Sequence, residues 1–389
     1  MIVPQTSPGG SPQTGSDESG AELTFARSEH TLRVDGAERR VLRFISGGPR
    51  PAHLEVPAVV AERYEIEGVL TNSGGQGTIY RARDRRLAGR NCLIKAIRYT
   101  PTALQRAVDG SPGEVEEQRN ALERECGFLT KMQLRGESRV PNLLRLEYDL
   151  LPALMQKSRN LSRDLLSGEP YLVMQHVPGV TLKTVIAQVR EGNLHGGLES
   201  RRWWRVSLQL IRELCSILSA LHEVEEIPHG QQTVERGFFY GDLKADNVIV
   251  TGGEFPTLID FGGVRAYWRA TSAPNAPWAS ESDTVFSCGY VAPEMADSAY
   301  TGELDPRVDV YSTGALLWHM LTGQSPARLT PTPSPTLSAQ DPRLPAELPP
   351  YVRELLRDAL ERDRDKRTVS ASALRQRSIQ ALLHLSQGN

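Results

Sequence analysis

The sequence predicts an α+β fold in which a strand-rich part precedes a larger and mostly helical part. Short runs of β-branched and apolar residues, such as Thr78 to Tyr80 and Cys92 to Ile94, dominate the first part and favour strands. Longer segments with an apolar residue at every third or fourth position follow, and these favour helices. A chain of 389 residues is long enough for such a two-lobed domain with an N-terminal extension.

The N-terminal extension has two parts. Residues 1–20 consist mostly of Ser, Pro, Gly and other polar residues, so we expect a disordered tail that cannot bury enough apolar surface to offset chain entropy. Residues 21–60 predict a small β-hairpin and a linker, because Thr31 to Val34 and Arg40 to Ile45 flank the turn pair Asp35-Gly36. The hairpin is either a structural embellishment or a docking strand.

The main domain is predicted to span residues 64–385, with an N-lobe of about 64–176 and a C-lobe of about 177–385. In the N-lobe we expect one helix, from Glu114 to Met132, because its apolar residues recur at helical spacing. The N-lobe strands are predicted at Val69-Leu70, Thr78 to Tyr80, Cys92 to Ile94 and Tyr171 to Met174. The C-lobe helices are predicted at Trp203 to Leu221, Asp309 to Leu321, Tyr351 to Leu360 and Ala371 to Leu385, with a Pro-rich loop from Pro326 to Pro350.

Composition argues against several classes of protein. The net charge of −2 argues against a nucleic-acid-binding protein, and no apolar run reaches the length of a membrane span. The sequence contains six lysines, a bias that is typical of GC-rich bacterial genomes. Four well-separated cysteines favour reduced thiols in a cytoplasmic protein over a metal knuckle: Cys92, Cys126, Cys215 and Cys288.

The most informative motif is Tyr240-Gly241-Asp242-Leu243-Lys244-Ala245-Asp246-Asn247, followed by Asp260-Phe261-Gly262. A carboxylate such as that of Asp242 can accept a proton from an attacking hydroxyl, and the ammonium of Lys244 can neutralise a transferring phosphate. An amide oxygen from Asn247 and a second carboxylate from Asp260 can hold magnesium between phosphates. The grouping indicates phosphoryl transfer from ATP.

A second motif lies upstream, in a glycine-rich turn between two predicted strands. Its glycines allow backbone N–H groups to approach phosphate oxygens. Lys95 lies on the next strand, and a lysine on a buried strand needs an anionic partner. Glu125 in the predicted helix is the preferred partner, with Glu123 as the alternative.

The order of these motifs resembles that of eukaryotic-type, or Hanks-type, Ser/Thr protein kinases of the bacterial kind. The match covers roughly residues 64–385 and includes Ala292-Pro293-Glu294 and Asp309-Val310-Tyr311-Ser312. The resemblance implies the bilobal protein kinase fold, with an N-lobe β-sheet carrying one helix, a mostly helical C-lobe, and ATP with Mg²⁺ in the cleft between them. It also implies protein substrates with Ser or Thr acceptors.

The resemblance assigns a role to each matching residue. Asp242, Lys244, Lys95 and Glu125 would be catalytic, and Asn247 and Asp260 would hold the metal. The nucleotide would be bound by Thr71, Asn72, Ser73, Gly74, Gly75, Gln76, Gly77, Ile79, Lys95, Met174, Gln175, Val177 and Ile249. Met174 resembles the gatekeeper, and residues 175–177 resemble the hinge. Glu294 would pair with Arg367, Asp309 would brace the catalytic loop, and Leu129, Phe261 and Tyr240 would form the spine between the lobes.

The chain departs from the family pattern in four places. Asn72 replaces the first glycine of the loop, and Ser287 stands near the position of the usual Gly-Thr before the A-P-E motif. Extra residues lie between Leu146 and Gly168 and between His222 and Gly237, as docking surfaces or idle loops. Tyr240-Gly241 replaces the usual His-Arg, whose arginine binds an activation-loop phosphate in many kinases. We therefore expect a non-RD kinase that does not depend on activation-loop phosphorylation.

Two alternatives to an active protein kinase remain at this point. Asn72, Tyr240 and Gly241 are compatible with a pseudokinase scaffold, although Lys95, Asp242, Asn247 and Asp260 are all present. The Asp-to-Asn spacing is also shared by small-molecule kinases of the aminoglycoside or choline type. The sequence leaves the oligomeric state open, with a homodimer among the alternatives.

Overall fold

In a computed structural model of the protein, the described residues are 59–71, 77–109, 111–149, 169–229, 232–252, 254–272, 279–280, 287–297, 300, 302–329 and 334–387, together with the backbone of four short strands nearer the N-terminus. The predicted tail (1–20), most of the extra segment before Gly168 and the glycine-rich loop residues 72–76 lie outside this part of the chain.

The N-terminal extension forms two short strand pairs. Strand β1 (Thr31–Val34) pairs antiparallel with β2 (Ala37–Arg40), and β3 (Phe44–Ile45) pairs with β4 (His53–Leu54). Strand β1 coincides with the first strand of the predicted hairpin, whereas the return strand is Ala37–Arg40 and not residues 40–45. The two-residue connection between Val34 and Ala37 makes the return strand begin at once, and residues 44–45 pair instead with a strand inside the predicted linker.

The N-lobe is a six-stranded antiparallel sheet in the order β5-β6-β7-β8-β10-β9. Its strands are β5 (Val59–Val60), β6 (Tyr64–Thr71), β7 (Gly77–Asp84), β8 (Arg90–Ile97), β9 (Leu143–Asp149) and β10 (Glu169–Gln175). One face buries an apolar cluster that includes Tyr64, Tyr80 and Ile94. The strand pattern of the first third of the chain is therefore confirmed.

Two helices accompany this sheet, so the expectation of a single N-lobe helix was wrong. Helix α2 (Gly113–Leu134) is the predicted one, extended at both ends, and α1 (Pro101–Val108) precedes it. The start of α1 follows from ordinary capping, because the Thr100 hydroxyl accepts a hydrogen bond of 3.0 Å from the Ala103 N–H and proline occupies the first turn.

The C-lobe is mostly helical, as predicted. Its helices are α3 (Leu182–Arg190), α4 (Arg201–His222), α5 (Pro293–Ala296), α6 (Arg307–Thr322), α7 (Pro350–Ala359) and α8 (Ala371–Gln387). Helix α4 packs on α6 and α8. Every residue of α6 from Val308 to Thr322 is buried, which makes it the central helix of this lobe.

Two small sheets lie beside the cleft. One has the order β11-β14-β15, formed by β11 (Val180–Thr181), β14 (Val248–Thr251) and β15 (Phe255–Leu258). The other has the order β12-β13-β16-β17, formed by β12 (Glu225–His229), β13 (Gln232–Phe239), β16 (Arg265–Ala270) and β17 (Ala279–Ser280). The extra residues after His222 thus form a hairpin, β12-β13, that the sequence analysis did not predict.

The Pro-rich connection between α6 and α7 also packs against the body of the lobe. Its apolar residues Leu337, Ala339, Leu344 and Leu348 are buried in the main core. Among the helices that the structure describes, none combines the length and apolar content needed to cross a membrane.

Candidate active site

Three charged side chains from three elements meet between the lobes. Lys95 lies on β8, Glu125 on the buried face of α2, and Asp260 follows β15. The Lys95 Nζ atom lies 2.7 Å from Glu125 Oε2 and 2.7 Å from Asp260 Oδ1. The Lys95 and Glu125 side chains are only 5% and 3% exposed, whereas Asp260 is 29% exposed towards the cleft.

The electrostatics of this cluster keep the ammonium charged. Burial disfavours the charged form of Lys95, but the carboxylates of Asp260 and Glu125 outweigh it, so the pKa of Lys95 is raised. Burial also opposes ionisation of Asp260, yet the neighbouring Lys95 lowers its pKa below the usual value. Burial raises the pKa of Glu125, and the positive charge of Lys95 opposes that shift. The cluster thus presents an ammonium and an ionised carboxylate to the cleft.

Glu125 rather than Glu123 is the partner of the strand lysine. Its second oxygen, Oε1, accepts a hydrogen bond of 3.2 Å from the Phe261 N–H, so the same carboxylate contacts the residue after Asp260. Glu123 points elsewhere and accepts a hydrogen bond of 3.0 Å from the Tyr148 hydroxyl. Asp260 has a left-handed backbone with φ 61°, which is uncommon for a non-glycine residue and concentrates at functional sites.

The catalytic-loop motif folds so that its polar side chains converge on Asp242. The Lys244 ammonium donates to Asp242 Oδ2 over 2.7 Å, and the Asn247 amide donates to Oδ2 over 3.2 Å and to the Asp242 carbonyl over 2.9 Å. The other oxygen, Oδ1, is buried and has no hydrogen-bond partner among the described residues. A buried carboxylate oxygen without a donor indicates a place for one from a bound molecule.

Lys244 also joins the catalytic loop to the segment before the A-P-E motif. Its ammonium donates to the Ser287 hydroxyl over 2.6 Å as well as to Asp242. The sequence analysis left the role of Ser287 open. The structure places that hydroxyl beside the residues predicted to act on the substrate.

Asp309, at the start of α6, holds the backbone of the catalytic loop in place. Its fully buried carboxylate accepts hydrogen bonds from the Tyr240 N–H over 2.7 Å and from the Gly241 N–H over 2.8 Å. His222 contributes a third contact of 2.8 Å between its Nε2 atom and the carboxylate. The bracing role expected for Asp309 therefore has a direct geometric basis.

Gly241 occupies a position that suits glycine. Its φ is 76°, in the left-handed region, and a Cβ atom there would lie 2.8 Å from the Gly263 carbonyl oxygen. A Cβ atom on Gly263 would in turn lie 2.8 Å from the Cβ of Asp242. These two glycines allow the catalytic loop and the turn after Asp260 to touch.

Aromatic rings connect the lobes behind the charged cluster. The Phe261 ring lies 5.5 Å from that of Tyr240 and 5.0 Å from that of Phe128, measured between centroids. Leu129 is buried in the same core. The sequence analysis named Leu129, Phe261 and Tyr240 and missed Phe128, although Phe128 lies on the same helical face as Glu125, three residues further on.

The predicted nucleotide-binding residues that the structure describes lie on or next to strands β6, β7, β8, β10 and β14. Met174 is buried at the end of β10, and Ile79 lies opposite Lys95 in the β7–β8 pair. Gln175 accepts a hydrogen bond of 2.7 Å from the Asn142 amide. Val177 is partly exposed, and Ile249 lies on β14, opposite Thr257. Thr71 and Gly77 end the strands on either side of the glycine-rich loop, and Asn72, Ser73, Gly74, Gly75 and Gln76 lie outside the described residues.

Glu294 and Arg367 form a buried ion pair in the C-lobe. The guanidinium donates to both carboxylate oxygens, over 2.6 Å and 2.9 Å, and both side chains are buried. Such a two-pronged pair fixes geometry as well as charge. It anchors the A-P-E motif to the segment before α8.

A second buried ionic cluster, which the sequence analysis missed, lies in the N-lobe. Glu169 accepts hydrogen bonds from Tyr99 over 3.2 Å and from Arg119 of α2 over 3.3 Å. Burial raises the pKa of Glu169 to about 7, while the charge of Arg119 lowers it. The available signal was a glutamate two residues before the buried strand run Tyr171 to Met174.

Comparison of the sequence with known proteins finds similarity to protein kinases. The family model for the protein kinase domain matches residues 115–379. The chain is 25% identical over 333 residues to the serine/threonine-protein kinase PknB of Mycolicibacterium smegmatis, covering 83% of this chain and 43% of that protein. It is 26% identical over 292 residues to the serine/threonine-protein kinase PknL of Mycobacterium tuberculosis, covering 75% and 56% respectively.

A third relative is the probable serine/threonine-protein kinase PknB of Corynebacterium glutamicum, 25% identical over 268 residues, with 69% of this chain and 32% of that protein covered. The chain thus spans about half of the length of these relatives, or less. The family match covers more than half of the chain and includes the catalytic loop, the D-F-G triplet and the A-P-E motif. This chain belongs to the protein kinase domain family.

Proposed function

We propose that the chain transfers the γ-phosphate of ATP to serine and threonine hydroxyls of protein substrates. In this proposal residues of about 64–176 form the N-lobe and residues of about 177–385 the C-lobe, with ATP and Mg²⁺ bound between them. The membership of the protein kinase family and the similarity to bacterial serine/threonine-protein kinases support this function.

The observation that carries the proposal is the unequal environment of the two Asp242 oxygens. Oδ2 is held by Lys244 and Asn247, whereas the buried Oδ1 has no partner among the described residues. A carboxylate held in this way is pre-organised to accept a hydrogen bond, and then a proton, from an incoming hydroxyl. Asp242 is accordingly the proposed catalytic base.

The chemistry of the surrounding donors fits a nucleotide with a divalent cation. Bound Mg²⁺ would neutralise phosphate charge and polarise the transferring group. Asp260, whose ionised form Lys95 favours, and the amide oxygen of Asn247 are the proposed ligands of the cation. Lys95 would hold phosphate oxygens on the N-lobe side, and Lys244 would do so beside Asp242.

The adenine end would be held by the segment that connects β10 to α3 and by apolar residues next to it. Backbone groups of residues 175–177 are the proposed hinge contacts, with Met174 behind them and Ile249 below. The turn between Thr71 and Gly77 would cover the phosphates. A Cβ atom on Gly77 would lie 2.8 Å from the Ala96 carbonyl oxygen, so glycine allows close packing of these strands beside Lys95.

We further propose that activity does not depend on phosphorylation of the activation segment. Gly241 has no side chain with which to bind a phosphate, and Asp309 already fixes the loop through two backbone N–H groups. Replacing Thr271, Ser272, Ser280, Ser282 and Thr284 together by Ala should leave turnover within about tenfold of the wild type, or about 1.4 kcal/mol. A larger loss would contradict this independence.

A transfer assay tests the main proposal. Asp242→Asn should reduce phosphate transfer from ATP to protein hydroxyls by at least about 100-fold, because the base is lost while the shape is kept. Asp246→Asn is the matched control, since Asp246 lies in the same loop but is half-exposed and pairs with Lys183. Phosphoserine and phosphothreonine are identified by mass spectrometry.

The same assay separates the alternatives. A wild-type protein that binds nucleotide but phosphorylates no protein, itself included, would be a scaffold and not an enzyme. Transfer to a small alcohol such as choline or an aminoglycoside, with none to protein, would favour a small-molecule kinase. The Lys244 contact with Ser287 beside the A-P-E motif supports a peptide substrate.

A further inference from the structure

The β12-β13 hairpin lies at the junction of three functional elements. It follows the end of α4, and β13 leads directly into Tyr240 of the catalytic loop. Strand β13 also pairs with β16, from Phe239 opposite Arg265 to Val234 opposite Ala270. The hairpin and the six residues of β16, which follow Asp260-Phe261-Gly262, therefore belong to one sheet.

Charged contacts join this hairpin to the C-terminal half of α2. Glu225, the first residue of β12, forms an ion pair with Lys131 over 2.8 Å and a closer one with Arg135. Arg135 also lies 3.4 Å from Glu223 and donates to the Ala220 carbonyl at the end of α4 over 2.7 Å. Lys131 lies on α2 and Arg135 directly follows its last residue, so these ion pairs join the hairpin to the C-terminal end of that helix.

Aromatic contacts extend the same junction towards the cleft. The Lys131 ammonium lies 4.7 Å from the centre of the Phe238 ring, on β13. The Phe238 ring lies 6.0 Å from that of Phe128 on α2, in an edge-on arrangement. Phe128 contacts Phe261, whose N–H donates to Glu125. A continuous set of contacts thus connects the hairpin to the carboxylate that pairs with Lys95.

The rest of this interface is loosely filled. A cavity of about 210 Å³ lies between α2 and the β13-β16 face, lined in part by Gly127, Val264 and Ala266. Because packing is incomplete there, the position of α2 depends more on the ion pairs and on the Phe238 contacts.

We propose that the hairpin of residues 223–237 is a built-in brace that holds α2 in the position where Glu125 meets Lys95. Glu225 is a positioning residue in this scheme, and it acts through Lys131 and Arg135. The same strands order the segment after Asp260, so the brace replaces the phosphate-dependent ordering that an arginine at position 241 would provide. The inference rests on the proposed kinase function for its effect on turnover, but not for its effect on α2.

Amide hydrogen exchange of the full-length protein tests the brace without reference to activity. In Glu225→Gln, amides of the C-terminal half of α2 should exchange about three- to tenfold faster, because two partly exposed ion pairs are lost. Glu65→Gln is the matched control. Glu65 is 43% exposed, close to the 45% of Glu225, and it also pairs with an arginine, but within the N-lobe sheet. The control should leave α2 exchange unchanged.

A double-mutant cycle identifies the route of the effect. When Lys131→Gln and Arg135→Gln are already present, adding Glu225→Gln should change α2 exchange by less than about twofold. Turnover should follow the same pattern, with kcat/KM for ATP reduced about two- to tenfold by Glu225→Gln alone. The thermal midpoint of the whole protein should stay within about 2 °C of the wild type, which separates positioning from general destabilisation.

The outcomes distinguish this inference from the proposed function. Unchanged α2 exchange in Glu225→Gln, or an equal increase throughout the protein, would overturn the brace. If the wild type transfers no phosphate while α2 exchange still responds to Glu225→Gln, the proposed function fails and the brace stands as a structural device. If α2 loosens but kcat/KM for ATP is unchanged in an active wild type, the brace does not position Glu125.

Discussion

At the scale of single residues, the geometry of the site depends on two residues with uncommon backbone conformations. Gly241 donates its N–H to Asp309 while its φ of 76° turns the chain towards Asp242. Asp260 accepts a left-handed backbone with φ 61° to point its carboxylate at Lys95. Both residues place one functional group by means of a backbone conformation that most side chains disfavour.

Gly241→Ala should therefore destabilise the protein by about 2 kcal/mol, since a Cβ atom adds strain at positive φ and meets the Gly263 carbonyl oxygen. Urea unfolding measures the free energy of unfolding. Gly252→Ala provides the comparison, because a Cβ atom there meets nothing within 4 Å, and its φ is not in the left-handed region. Equal stability of the two variants would show that the loops can move apart without cost.

Residue types and their order allowed the charged members of the site to be predicted, but they did not settle which of two nearby glutamates pairs with Lys95. The sequence left Glu123 as an alternative to Glu125, and only the rotation of α2 separates them: one is buried against Lys95, the other bonds to Tyr148. Two positions on a helix are about 200° apart, so the two glutamates point to nearly opposite sides, and the packing of α2 on the sheet decides which of them faces Lys95.

At the scale of elements, helix α2 is held at both ends as well as at Glu125. Arg119, in the N-terminal half of α2, donates to the buried Glu169. Lys131 and Arg135, near its C-terminus, bind Glu225. A helix fixed at three points along its length has a defined rotation about its axis. That rotation is what brings Glu125 to Lys95.

The Glu169 cluster predicts a dependence of stability on pH. Burial raises the folded-state pKa of Glu169 to about 7 from its ordinary value of 4.5, so the folded protein binds this proton more tightly than the unfolded chain. The resulting stability is fully present below about pH 4.5 and is lost as pH rises through about 7, by up to roughly 3 kcal/mol. In Glu169→Gln this titration is absent.

Urea unfolding of the wild type and of Glu169→Gln between pH 5 and pH 8 measures this dependence. The stability of the wild type relative to the variant should fall as the pH rises across that range. A difference in stability that is constant with pH would mean that Glu169 stays ionised and that the charge of Arg119 outweighs burial. Tyr99 supplies a hydroxyl donor in either state.

The elements that the sequence did not predict are short or polar. Helix α1 is only eight residues long, shorter than the stretch over which helical periodicity is usually recognised, and its capping residues Thr100 and Pro101 were a further signal. The β12-β13 hairpin is rich in Glu and other polar residues, and its strands contain four large apolar residues: Ile227, Val234, Phe238 and Phe239. Strand β13 is stabilised by pairing with β16, which local sequence patterns do not report.

At the scale of the whole molecule, the kinase core is assembled from two lobes whose contact is mostly made by side chains of α2, the catalytic loop and the turn after Asp260. The rings of Phe128, Phe261 and Tyr240 pass through that contact, and the charged residues lie in front of it. The order of the motifs was enough to predict the two-lobed architecture. The motifs did not reveal that the insertion after His222 also bridges the lobes.

The central claim is that Lys95, Asp242, Asn247 and Asp260 act on one bound nucleotide in one cleft. Because the chain contains six lysines, labelling with an acyl-phosphate derivative of ATP followed by mass spectrometry tests the claim at single-residue resolution. We expect labelling at Lys95 and Lys244, suppression of that labelling by excess ATP with Mg²⁺, and its loss in Asp260→Ala. Labelling that is spread over Lys131, Lys183 and Lys366 and is insensitive to ATP would contradict it.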